Sequence, residues 1–223
     1  MKISHHELAA FIPLLKDDTH KTLLHIGCGQ ANPERLPECF KVGQWQEVTL
    51  DIDPRVKPDI VATITDMAPV AAASVDAVWS SHNLEHLEGY QVHTALQEIH
   101  RVLKPGGFVL ITLPDVQKIC QIIANGGLEE VLYRSPVGPI TPLDVLFGHQ
   151  DSIARGNTYM AHRTGFDAAR LSEQLHKAGF ADIRVRKGDS FDLWGVAVKS
   201  ANAAKQETPP DTTADTLTSS AGA

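Results

Sequence analysis

The sequence predicts an α/β domain built on a doubly wound, mostly parallel sheet of about seven strands. Three observations predict it. Short β-rich apolar runs alternate with helical patterns through residues 22–198, the rhythm of a parallel sheet covered by helices. The first run passes directly into Gly27-Cys28-Gly29, the punctuation of a tight turn after a strand. The second ends on a carboxylate, Asp51, about 20 residues further on, where a nucleoside-binding sheet offers an acceptor to ribose hydroxyls.

The elements follow in order. Residues 22–26, 47–50, 59–62, 75–80 and 108–113 read as five strands, and 183–185 and 193–198 as two more. Leu96, Ile99, Val102 and Leu103 fall at helical spacing between the fourth and fifth strands, and Pro105-Gly106-Gly107 stops that helix. Leu171, Leu175 and Ala178 mark a later helix closed by Gly179. One connection is irregular: only Pro54 to Pro58 separates the second and third strands, whereas a parallel crossover needs a dozen residues or more. The third strand is therefore expected to be short and irregular, or to pair differently from its neighbours.

Composition narrows the function. The 223 residues suit one domain, with 20 Lys+Arg against 27 Asp+Glu and a formal net charge of -7. Phosphate-driven nucleic-acid binding wants a basic patch, and the densest basic cluster, Arg184, Arg186 and Lys187, merely alternates along one strand. Nucleic acid is a poor substrate on this ground. Cys28, Cys39 and Cys120 are too few and scattered for a disulfide framework or a CxxC zinc site. No window approaches the roughly 20 apolar residues of a membrane span, and the expected setting is cytoplasmic. Residues 1–199 form the expected domain, and 200–223, rich in Thr, Ala, Ser and Pro, are expected to be disordered for want of apolar surface to bury.

The glycine run also discriminates between nucleoside ligands. A dinucleotide site wants G-x-G-x-x-G facing a helix N-terminus. Here Gly27-Cys28-Gly29 is followed by Gln30, Ala31 and Asn32, and Pro33 and Pro37 crowd the next helix. NAD is disfavoured.

Taken together, HIGCG, TLDIDP, SVDAVWSSHNLEHL and LQEIHRVLKPGGFVLITLPD are similar to successive motifs of the class I (Rossmann-like) S-adenosylmethionine-dependent methyltransferases. The resemblance is in particular to the bacterial group that acts on small molecules. It covers Leu23 to Asp115 in order. The resemblance implies S-adenosyl-L-methionine as cofactor and methyl transfer to an O, N or S atom of a small molecule. It implies that Gly27 and Gly29 line the amino-acid end of the cofactor, that Asp51 holds its ribose, and that Ile52 lies against adenine. Ser81 and His82 would face the methionine portion. The position where the family commonly places an acidic residue at the adenine amino group is Thr63, which has no carboxylate; Asp66, three residues on, is the alternative. Ala31 replaces a frequent third glycine. The competing reading is a methyltransferase-fold protein that binds a ligand or partner without catalysis.

Three other features have a plainer use. His82 and His86 beside Glu85 have the spacing of zinc ligands on a helix, and the order H-x-x-E-H matches the inverted zinc-protease motif. The resemblance accounts for the same residues without metal, so none is expected. Cys28 needs only to be small. Asp53 suits turn initiation before Pro54.

Residues 116–166 break the strand-helix rhythm and follow the fifth strand, whose end borders the ligand edge of such sheets. They are expected to form a lid-like insertion over the substrate; the alternative is packing or a homodimer contact through Leu143, Val145, Leu146 and Phe147. Within the insertion His149 and His162 are the candidate bases, because imidazole titrates near neutral pH, and each is alternatively a structural histidine.

Overall fold

The computed structural model describes residues 5–12, 15, 19–30 and 32–201. Ala31 and most of the expected disordered tail, residues 202–223, lie outside them. Seven strands form the main sheet: β1 (Lys21–Ile26), β2 (Trp45–Asp51), β3 (Ile60–Val61), β4 (Val75–Ser81), β5 (Leu103–Pro114), β8 (Ala181–Lys187) and β9 (Asp192–Val198). Their spatial order is β3-β2-β1-β4-β5-β9-β8. All neighbouring pairs from β3 to β5 are parallel, and β9 runs antiparallel to both β5 and β8. This is the doubly wound arrangement predicted, with its switch point between β1 and β4.

Strand periodicity explains the two-sided core. A strand sends alternate side chains to opposite faces, and here both faces are covered. Leu24, Ile26, Val78, Val109, Ile111 and Leu113 meet the helices α3 (Val92–Val102) and α7 (Ala168–Lys177). Leu23, Ala77, Trp79, Phe108, Leu110 and Trp194 face α1 (His5–Phe11) and α2 (Glu38–Lys41), where Phe40 stacks on Phe108 with ring centroids 5.9 Å apart. The stripe of α3 is Val92, Ala95, Leu96, Ile99 and Val102, all fully buried. Burial of that kind stabilises by roughly 1.5–3 kcal/mol per large side chain.

The irregular connection resolves in favour of the short strand. A single 3-10 turn, Pro54–Val56, replaces the crossover helix, and β3 pairs only Ile60 and Val61 with Leu50 and Asp51. Side-chain bonds supplement so short a ladder: the Asp59 carboxylate accepts from the backbone N–H and hydroxyl of Thr49 at 2.8 and 2.7 Å. A second departure concerns Pro105-Gly106-Gly107. The helix does stop before it, but β5 already begins at Leu103, which pairs with Val75. The triplet is an irregular stretch within the strand, with Gly106 at φ +79°.

The loop after β3 is clamped by α3. The Arg101 guanidinium donates to the carbonyls of Met67 and Val70, at 2.9 Å each, and to Glu98, which in turn accepts the Met67 N–H at 2.8 Å. The insertion is a set of short elements: α4 (Val116–Ala124), the hairpin β6 (Tyr133–Ser135) and β7 (Gly138–Ile140), α5 (Pro142–Phe147), α6 (Gln150–Ala154) and a 3-10 turn at Thr158–Met160. Of these, α4, the hairpin and α5 share a small core of Ile119, Ile140 and Val145. Of the four residues expected to offer apolar surface, Val145 is buried, Leu143 and Leu146 are half-buried, and Phe147 is exposed. Among the described residues no helix is long and apolar enough to cross a membrane.

Candidate functional site

Beyond the carboxyl ends of β1, β2 and β4 lies a cavity of about 340 Å³, at the switch point where open α/β sheets bind ligands. Its floor is the glycine turn. Gly27 and Gly29 sit at φ +61° and +54°, in the left-handed region where a side chain is strained. A Cβ on Gly27 would also overlap the Asn83 side chain.

Asp51 closes the next side. Its two carboxylate oxygens each accept one backbone N–H, from Gly29 at 2.8 Å and from Asp53 at 2.9 Å. Each oxygen keeps a free lone pair, and Asp51 lines the cavity. The Gly29 bond fixes the glycine turn against β2, so the turn and the carboxylate hold one geometry. Cys28 lies between them without lining the cavity; desolvation, with the nearby Asp51 charge, pushes its thiol up to about 11.

Ile52 lines the cavity with half its surface open, and Thr63 lines it from the clamped loop. Asp66 does not reach it. That side chain is exposed and caps its own turn, its Oδ1 accepting the Ala68 N–H at 3.1 Å. The position expected to offer either residue to adenine therefore presents the threonine. Beyond β4, His82 lines the cavity at φ +49°, a strained conformation for a non-glycine residue. Ser81 stays on the sheet, accepting the Thr112 hydroxyl at 3.1 Å, and is not among the lining residues.

The two histidines of the insertion also lie off the cavity wall. His149 is buried with Nδ1 2.7 Å from the Ser152 hydroxyl. His162 stands behind His86, its Nδ1 donating to the Val145 carbonyl at 2.8 Å. The insertion itself does reach the cavity: Asn157, Thr158, Tyr159, Met160 and Arg163 form one wall. Nothing in their order signals this. Asn83, next to His82 in the loop after β4, had a positional signal and was missed, as were Val56, Ile64, His86 and Leu87.

Under the His82 side of the cavity sits a buried charged group. Glu85 is 1% exposed, and its Oε1 lies 3.2 Å from His82 Nδ1. Burial pushes the Glu85 carboxyl up, but the hydrogen bond and charge of His82, with His86 and His162 adding to it, outweigh burial and hold it below its ordinary value. Desolvation pulls His82 down, and Glu85 more than reverses that, leaving the imidazole above its usual range. His162 is lowered, chiefly by burial.

Comparison with known proteins agrees with this fold. The family model described as "Methyltransferase domain" matches residues 24–111, the stretch that holds Gly27, Gly29, Asp51, Thr63 and His82. No curated relative matches the sequence. Solved structures do. A protein from Pyrococcus horikoshii superposes with a TM-score of 0.57 at 14% identity, over 87% of this chain and 92% of that one. A SAM-dependent methyltransferase from Methanosarcina mazei gives 0.54 at 18%, over 84% and 97%. The 1,6-didemethyltoxoflavin-N1-methyltransferase of Burkholderia thailandensis, solved with bound 1,6-didemethyltoxoflavin and S-adenosylhomocysteine, gives 0.52 at 16%, over 86% and 76%.

The fold is thus the Rossmann-like fold of class I methyltransferases. Within it, residues 24–111 carry the sequence signature of a methyltransferase domain, as the four motifs implied.

Proposed function

We propose that the chain transfers a methyl group from S-adenosyl-L-methionine to an O, N or S atom of a small molecule. One observation carries this reading: the Asp51 carboxylate, held by two backbone N–H groups, presents free lone pairs to the cavity beside two left-handed glycines. That arrangement suits a ribose diol next to a close backbone approach. Gly27 and Gly29 then meet the amino-acid end, Ile52 packs on adenine with Thr63 at its edge, and His82 with Asn83 borders the methionine portion.

The cofactor supplies an electrophilic sulfonium methyl. The chain's own task is to align an acceptor in line with that methyl and to exclude water. The wall of Asn157, Thr158, Tyr159, Met160 and Arg163 is available for both, since it lines the same cavity as the glycine turn. His82, backed by the Glu85 carboxylate at 3.2 Å, is the cavity imidazole best placed to take a proton from an acceptor that needs to lose one.

Calorimetry with S-adenosylmethionine, S-adenosylhomocysteine and NAD tests the reading. Binding of the first two and not of NAD is the expected result. Binding of NAD alone overturns it, and cofactor binding without turnover across a metabolite panel favours a non-catalytic binding protein.

A further inference from the structure

We infer that Glu85, His86 and His162 form a binding site for a divalent first-row transition-metal ion beside the cavity. Their ligand atoms all lie within 4.8 Å of one another. Donors around a zinc ion with bonds of about 2.0–2.2 Å are spaced about 3.5 Å apart, so a closure of roughly 1 Å by side-chain rotation completes the set.

The hydrogen bonds prepare each donor. His86 Nδ1 faces the Ala161 carbonyl at 3.1 Å, and His162 Nδ1 faces the Val145 carbonyl at 2.8 Å. A carbonyl only accepts, so both Nδ1 atoms carry the ring proton and each neutral ring keeps its lone pair on Nε2. Backbone carbonyls behind the imidazoles are the usual outer support of histidine ligands. The two rings are 4.9 Å apart, edge to face. Glu85 supplies the independent sign. Its Oε1 is engaged by His82, but Oε2 is fully buried without a hydrogen-bond partner. A buried carboxylate oxygen left bare is costly, and a cation at this point satisfies it.

The donor set selects the ion. Two imidazoles and one carboxylate favour zinc, cobalt, iron or manganese over calcium and magnesium, which prefer oxygen ligands throughout. Three protein donors leave a coordination position open, and His86 lies in the cavity wall. On the methyl-transfer reading that position takes an oxygen of the acceptor; binding of the ion itself does not depend on that reading.

The test uses the full chain stripped with chelator and titrated with Co²⁺, read by visible absorption. A single stoichiometric site displaced by Zn²⁺ is expected. His86→Ala and His162→Ala should each weaken Co²⁺ binding by more than about tenfold, since loss of even an outer partner costs ten- to a hundredfold. His5→Ala/His6→Ala removes the adjacent pair that is a rival ligand by sequence, and should leave the site unchanged. X-ray absorption of the zinc-loaded, unaltered chain needs no variant: scattering from two imidazoles is expected. The inference is overturned by absence of a Co²⁺ band, by binding lost only with His5 and His6, or by fewer than two imidazoles on zinc. Calorimetry of the stripped chain with S-adenosylhomocysteine separates the two readings, because failure there removes methyl transfer and leaves the ion.

Discussion

Replacing Asp51 by alanine probes the cofactor reading most directly. In the free protein the carboxylate is anchored by Gly29 and Asp53 at 2.8 and 2.9 Å, and its remaining lone pairs are those a ribose diol would use. A hydrogen bond to a charged group is worth about 1.5–3 kcal/mol. If the two hydroxyls together contribute that much, affinity falls about ten- to a hundredfold at 1.4 kcal/mol per decade. The anchors sharpen the test. Asp51→Asn keeps the shape but must turn its NH₂ toward either Gly29 or Asp53, donor against donor, so the amide should rescue little. Calorimetry with S-adenosylhomocysteine, on variants whose circular dichroism and melting match the parent, reads both effects. A folded Asp51→Ala protein with unchanged affinity would refute the assignment of Asp51 to the ribose.

Three further outcomes follow from particular bonds. With its thiol pushed up to about 11 by desolvation and the Asp51 charge, Cys28 should alkylate slowly at pH 8, at a rate rising about tenfold per pH unit below that value, while exposed Cys120 labels first; equal rates by mass spectrometry would contradict this. Glu98, hydrogen-bonded by Arg101 and the Met67 N–H, has its carboxyl below the ordinary value, so its contribution is full above the unfolded-state pKa and is lost as pH falls through the folded one. Glu98→Gln should therefore cost about 1–3 kcal/mol near pH 7 and progressively less below about pH 4.5, and a penalty independent of pH in chemical denaturation would refute the ion-pair account. His149→Ala, which removes the buried bond to Ser152, should cost about 1–2 kcal/mol of stability and leave S-adenosylhomocysteine affinity unchanged; a large loss of affinity would put His149 in the pocket after all.

The centre of the sheet was readable because β4 and the body of β5 are buried on both faces, which makes an apolar run such as residues 108–111 continuous and hard to mistake. The glycine turn and Asp51 were readable because backbone strain and a strand-end carboxylate each restrict which residue serves. The insertion was not. A helix as short as α5 draws its stability from the small core around Ile119, Ile140 and Val145, and no periodicity precedes that packing. For the same reason His149 and His162 looked alike as candidate bases. An imidazole in a loop has no direction until the carbonyl or hydroxyl that holds it, Val145 or Ser152, is fixed in space. Asp66 failed similarly: three residues after Thr63, it could reach adenine only if the loop bent toward the cavity, and a turn instead returned its carboxylate to the Ala68 N–H.

The brevity of β3 makes the cavity mechanically uneven. Its glycine turn is rooted in β1, which is hydrogen-bonded on both sides and nearly all buried. Asp51 and Ile52 instead leave a half-exposed strand whose outer neighbour contributes two residues. One side of the cavity thus rests on a buried, doubly paired strand and the other on a half-exposed strand with a two-residue outer neighbour, the kind of edge that opens at lower cost. On the proposed reading, a nucleoside that bridges the two would add contacts to that edge, and part of its binding energy would go into ordering it. A chain with a full crossover helix at this point would have that rigidity before any ligand arrived.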